Sequence, residues 1–196
     1  MHHSQIQADA LSAFLSACSE QSIVLNSERI EQRFGSYGIA VLSHENGLRR
    51  SSLESYRDGK SVCRTYAVVE FAERGSDPLG QAHNRILAGD SIGATLKELG
   101  FEVRKETLLI AAVSLPDAPT EMRRLMRLEG SQDIALHAYR LTAVSEDQEL
   151  AYATILEAHH PEYLGISDLN DVYGNGPSPQ DPTTDLTQFT DLLFGR

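Results

Sequence analysis

The chain has 196 residues, 41% hydrophobic and 23% charged, which suits one domain with appendages and a core that needs no covalent staples. No apolar run approaches the ~20 residues of a membrane span. No charged and then apolar leader opens the sequence, so a membrane partner is not expected and a cytoplasmic location is the default. Seventeen basic against twenty-eight acidic residues give a net charge of −11, which repels a phosphate backbone and sets nucleic acid aside as a partner.

Cys18 and Cys63 are the only cysteines, too few for a disulfide framework or a thiolate zinc site. Residues 6 to 18, IQADALSAFLSAC, place Ile6, Ala10, Leu11, Phe14, Leu15 and Cys18 at helical spacing and predict a packing helix. Asn26 and Ser27 offer N-caps to SERIEQRF, a short helix that stops at Gly35. The following GSYG is a turn, and it lacks the Gly-Lys-Ser/Thr ending of a phosphate loop. Ile39 to Leu42 is a short strand. An exposed polar hairpin or loop carrying His44, Asn46, Gly47, Arg49 and Arg50 is expected next, then a turn at Arg57-Asp58-Gly59.

Ser61 to Phe71, SVCRTYAVVEF, is by composition the strongest single strand. It sets Arg64 within an apolar run, where an unpaired guanidinium is very costly, so a carboxylate of the protein or of a ligand should face it. A short helix is expected near His83 to Leu87. Gly89-Asp90-Ser91 then opens a clearer one, capped by Asp90 or Ser91 and stopped by Gly100, whose free amides at Ser91, Ile92 and Gly93 suit an anion. Phe101 to Leu115 is a long strand, apolar on both faces in its middle, as a central strand would be. Asp117-Ala118-Pro119-Thr120 begins the helix EMRRLMRL.

Ile134 to Val144 and the run ending in ATILEAHHPEYL form a β-hairpin. Alternation along its second strand puts Ala151, Ala153, Ile155, Glu157 and His159 on one face and Tyr152, Thr154, Leu156, Ala158 and His160 on the other. Pro161 closes the strand, so Glu157 and His159 should sit at the sheet's exit, where they can meet a ligand. A metal could be held only through Glu157, His159 and His83, because adjacent His159 and His160 point to opposite faces; no metal site is expected. After Gly165 the chain turns rich in Gly, Pro, Asp and Asn and is expected to be a flexible tail. It ends in apolar Phe189, Leu192, Leu193 and Phe194, which would dock on the domain or on a partner protein.

From Ser91 onward the sequence resembles the UTRA effector-binding domain of GntR-type regulators, whose fold is shared with chorismate lyase. The residues that carry this are a Ser-opened helix ending in Leu99-Gly100, a strand, APTEMRRLMRLEG, and then DIALHAYRLTAVSEDQELAYATILEAHHPEYL. The resemblance implies an α+β fold with an antiparallel sheet of about five or six strands and packed helices. It also matches Glu157 to a ligand-contacting glutamate and Ser91 to a serine that meets an anionic group. SERIEQRFG echoes the start of a winged helix-turn-helix, but no recognition helix follows, so a DNA-binding repressor is disfavoured.

The expected organisation is an N-terminal helical segment over 1–28, a chorismate-lyase-like domain over 29–166 and an acidic tail over 167–196. Two functions are compatible with it. One is a chorismate-lyase-like protein that binds a small carboxylated or phosphorylated metabolite and cleaves it by elimination, without a cofactor. In that reading Arg64 and Arg49 serve with Ser91, Ile92 and Gly93 as the anion site, and Glu157, assisted by His159 or His83, is the general acid or base. The other is a non-catalytic module that senses a metabolite or binds a protein partner through its tail.

Overall fold

The computed structural model describes residues 25–72, 79–114, 117–146 and 148–174. The helix expected over residues 6 to 18, Cys18, and the apolar terminus at Phe189 to Phe194 lie outside these residues.

The described chain is mixed α+β. Its order is α1 (Asn26–Phe34), β1 (Gly38–Glu45), β2 (Leu48–Arg57), β3 (Lys60–Phe71), α2 (Gly80–Ala88), α3 (Ile92–Glu98), β4 (Glu102–Ser114), α4 (Thr120–Met126), β5 (Asp133–Val144), β6 (Glu149–His159) and α5 (Ile166–Tyr173). The strands form one antiparallel sheet in the order β1-β2-β3-β6-β5-β4. Two three-stranded meanders are thus joined where their last strands, β3 and β6, pair. The tight turns of the first meander use Asn46-Gly47 and Asp58-Gly59, all four at positive φ, the backbone that two-residue hairpin loops require.

Helix α4 covers one face of the sheet, where Met122 and Met126 pack with Tyr66, Val68, Leu136 and Leu156. On the other face, α2 and α3 pack Ala82, Ile86 and Leu96 against Val69, Tyr139 and Ile155. Helices α1 and α5 bring Ile30 and Leu169 to Ala67, Ala135 and Tyr163 on that same face. Its two apolar clusters flank a band of polar side chains over the middle of the sheet.

Several expectations are corrected. The segment with Arg49 and Arg50 is strand β2, hidden from a hydropathy reading because its buried residues include Arg49, Ser51, Ser52 and Ser55. Strand β4 lies at the sheet edge; it is apolar on both faces because Leu109 meets the α4 cluster while Ile110 meets that of α5. The residues after Gly165 begin with a helix, whose Leu169 is fully buried. Asn26 does not cap the first described helix: Leu25 holds the N-cap position and its amide donates to Glu28. Tyr152 packs in the same cluster as Ala153 and Ile155, because a bulge in the β5–β6 pairing interrupts the alternation.

Candidate functional site

A cavity of about 60 Å³ opens between the sheet and the starts of α1 and α3, with room for several waters or a small charged group. Its apolar wall is Ile39, Leu53, Ala67, Val69, Leu141 and Ile155, and its polar groups come from Asn26, Tyr37, Arg49, Ser91, Lys105, Tyr139 and Glu157. A second depression, about 340 Å³, lies at the end of the sheet near the β2–β3 turn. There Arg57 is paired with Glu162, so that depression offers a less desolvated set of charges.

Glu157 is central. It sits on β6, directly opposite Ala67 of β3 and His137 of β5, and is 4% exposed, so it lies mid-sheet under α1 and not at an open strand exit. Asn26 Nδ2 donates to its Oε1 at 3.1 Å and Tyr139 Oη at 3.2 Å. Asn26 Nδ2 also reaches Thr65 Oγ1, and Tyr163 Oη donates to Asn26 Oδ1. This network explains why an asparagine at a helix start forgoes capping. Burial, then the Glu157 charge, push the Tyr139 hydroxyl well above its ordinary range, so it remains a donor.

Arg49 is 2% exposed and donates through Nη1 to the carbonyl of Ile86, while its Nε meets no partner among the described residues. Burial lowers its pKa, and no carboxylate among the described residues pairs with it. Lys105 extends over the Tyr139 ring at 4.4 Å and likewise has no carboxylate partner among the described residues. Burial pushes the Tyr37 hydroxyl up to about 12, against the pull of Ser91 and Arg49.

Of the residues singled out in the sequence, Arg49, Ser91, Ile92, Gly93 and Glu157 line this cavity. Arg64 does not: it is 1% exposed, bonded to Glu162 at 3.0 Å and Ser55 at 2.8 Å, with its guanidinium 4.0 Å from the Phe34 ring centre. The carboxylate that faces it therefore belongs to the protein. His83 also lies elsewhere, against Tyr152 Oη and the Phe71 ring. His159 is beneath the cavity, its Nε2 3.8 Å from Glu157 Oε2 and its Nδ1 3.1 Å from Thr65 Oγ1.

Four residues were not anticipated. The sequence offers Asn26 only as a helix cap, and no local pattern singles out Lys105, Tyr139 or His137. His137 is fully buried, stacked on Tyr173 at 4.2 Å, with Nε2 3.1 Å from Thr107 Oγ1.

No protein-family model and no curated protein matches the sequence. Among solved structures, the chain is similar to the crystal structure of a transcriptional regulator of the GntR family from Enterococcus faecalis V583. The identity is 13% and the TM-score 0.35, over 66% of this chain and 93% of that one. No helix among the described residues is long and apolar enough to cross a membrane.

Proposed function

We propose that this domain binds a small carboxylated or phosphorylated metabolite in the cavity between the sheet and the starts of α1 and α3. The observation that carries the reading is Arg49, a buried guanidinium on the cavity wall with no carboxylate partner among the described residues. Desolvating such a charge costs several kcal/mol, and a ligand carboxylate or phosphate would offset that cost. Lys105 supplies a second positive charge to the same cavity, against a chain whose net charge is −11. Glu157 and Tyr139 supply an acceptor and a hydroxyl for the ligand's uncharged part, and the apolar wall suits a hydrocarbon or ring body.

The resemblance of the segment from Ser91 onward to UTRA domains supports an effector-binding role. A catalytic version of the same reading has Glu157, the sole carboxylate lining the cavity among the described residues, move a proton in an elimination, with His159 beside it.

A thermal-shift screen of the purified protein tests the proposal, using chorismate, 4-hydroxybenzoate, other small carboxylates and sugar phosphates. A ligand at ~100 times its Kd adds about 2.7 kcal/mol to stability and raises the melting temperature visibly. A silent panel would contradict the proposal; turnover of the ligand found would decide for the enzyme.

A further inference from the structure

Beneath the cavity, two imidazoles and a carboxylate converge. His137, His159 and Glu157 each offer one ligand atom, all within 4.8 Å of one another, and all three residues are buried. His137 and His159 are 0% and 1% exposed, and His137 Nδ1 and His159 Nε2 have no hydrogen-bond partner among the described residues. Buried polar nitrogens are nearly always satisfied, so two orphans in one buried cluster call for an occupant. We propose that His137, His159 and Glu157 form a binding site for a first-row divalent transition metal, with Zn²⁺ or Fe²⁺ as the class of ion.

The outer atoms of the trio are held as metal ligands require. Thr107 Oγ1 lies 3.1 Å from His137 Nε2, and Thr65 Oγ1 3.1 Å from His159 Nδ1, so each threonine oxygen can accept the N–H of the far ring nitrogen and leave the near one with its lone pair. Asn26 and Tyr139 both donate to Glu157 Oε1, which leaves Oε2 for the ion. Two histidines and one carboxylate, with positions left open, are the donor set of catalytic zinc and of non-haem iron sites.

Burial, then the Lys105 charge, hold His137 well below its ordinary range. Burial also lowers His159 to about 4, outweighing Glu157, with Arg29 and Lys105 acting in the same downward direction. Bonds of roughly 2.0–2.2 Å would draw the three atoms inward by about 1 Å, within the reach of side-chain torsions. The anion is held by Arg49 and Lys105 and the ion by the two imidazoles, while Glu157 borders both, so metal binding goes beyond the proposed function and is read on its own below.

The test begins with the full chain carrying His2→Ala and His3→Ala, since two histidines beside an amino terminus can themselves bind metal. After chelator treatment the protein is titrated with Zn²⁺, and separately with Co²⁺ as a spectroscopic probe. The expected result is one equivalent of Zn²⁺ bound, with visible d–d absorption from bound Co²⁺. His137→Ala and His159→Ala should weaken Zn²⁺ by more than ~100-fold, and Thr65→Val by ~10–100-fold while the fold persists. Arg49→Met should leave Zn²⁺ affinity unchanged, which separates this site from the anion site.

X-ray absorption on the Zn²⁺-loaded protein with His137 and His159 intact needs no buried variant to fold, and should show two imidazole nitrogens with oxygen ligands. The proposal is overturned if that protein binds no Zn²⁺, if folded His137 or His159 variants bind it as well, or if the absorption spectrum lacks two imidazoles. In each of those cases the orphaned nitrogens are satisfied by water.

Discussion

Asn26 and Glu157, 131 residues apart in sequence, share a buried 3.1 Å hydrogen bond that ties the start of α1 to the middle of the sheet. Asn26→Ala removes that donor, the donor to Thr65 and the acceptor of the Tyr163 hydroxyl together. Tyr139→Phe removes only one donor to Glu157. Leaving buried groups unsatisfied costs about 1–3 kcal/mol per group, so Asn26→Ala should destabilise by more than Tyr139→Phe. Urea unfolding of both variants checks the order, and their double mutant should show non-additivity through the shared Oε1.

The Arg64–Glu162 pair gives a pH dependence with a definite sign. Burial alone would raise the Glu162 carboxyl, but its hydrogen bond to Arg64 and the His160 and Arg57 charges outweigh this, and its pKa is lowered. A carboxyl depressed in the folded state contributes stability above its unfolded pKa, and this contribution is lost as pH falls through the folded value. Glu162→Gln should therefore be less stable than the parent at pH 7 by about 1–2 kcal/mol, below the ~3–5 of a fully buried pair, because Glu162 is 56% exposed. Near pH 3 the two proteins should converge. Denaturant unfolding at both pH values measures the difference.

Gly93 of α3 lies against Leu25, the residue that holds the N-cap position of α1. A Cβ there would lie 2.4 Å from Leu25 Cδ2 and 3.2 Å from Cδ1. Alanine in a helix ordinarily gains up to about 1 kcal/mol over glycine, but this contact must first be relieved. Because Leu25 is buried and precedes Asn26, Gly93→Ala should lose about 1–3 kcal/mol and weaken ligand binding by shifting the cavity mouth. Unfolding and binding measured together check this; a stabilised variant would contradict it.

Much of the sheet is legible in sequence because β3, β5 and β6 are long apolar-rich runs and their turns carry the expected residues. The polar heart is less so. Val144 pairs with Glu149 at the hairpin end, and that register extrapolates to Leu136 opposite Glu157. The bulge between Leu141 and Thr142 moves the pairing by one and sets His137 there instead, which decides the face of every residue beyond it. Local pattern does not announce a bulge, so composition offers His83 as a partner of Glu157 where the fold supplies His137. Strand β2 was missed for a related reason. Its inward positions carry arginine and serine, and a buried polar strand reads as a loop until the cavity beside it is seen. Arg49 and Arg64 are equally buried, and only the tertiary structure separates the one with a carboxylate partner from the one without.

The central claim rests on Arg49, and isothermal titration of the best anion from the screen against parent and Arg49→Met proteins tests it most directly. Replacing an unpaired buried charge with an apolar side chain should leave the free protein as stable as before or more so. The same change should cost the ligand about 2–5 kcal/mol, at least ~30-fold in Kd. Equal affinity in a folded Arg49→Met protein would contradict the account.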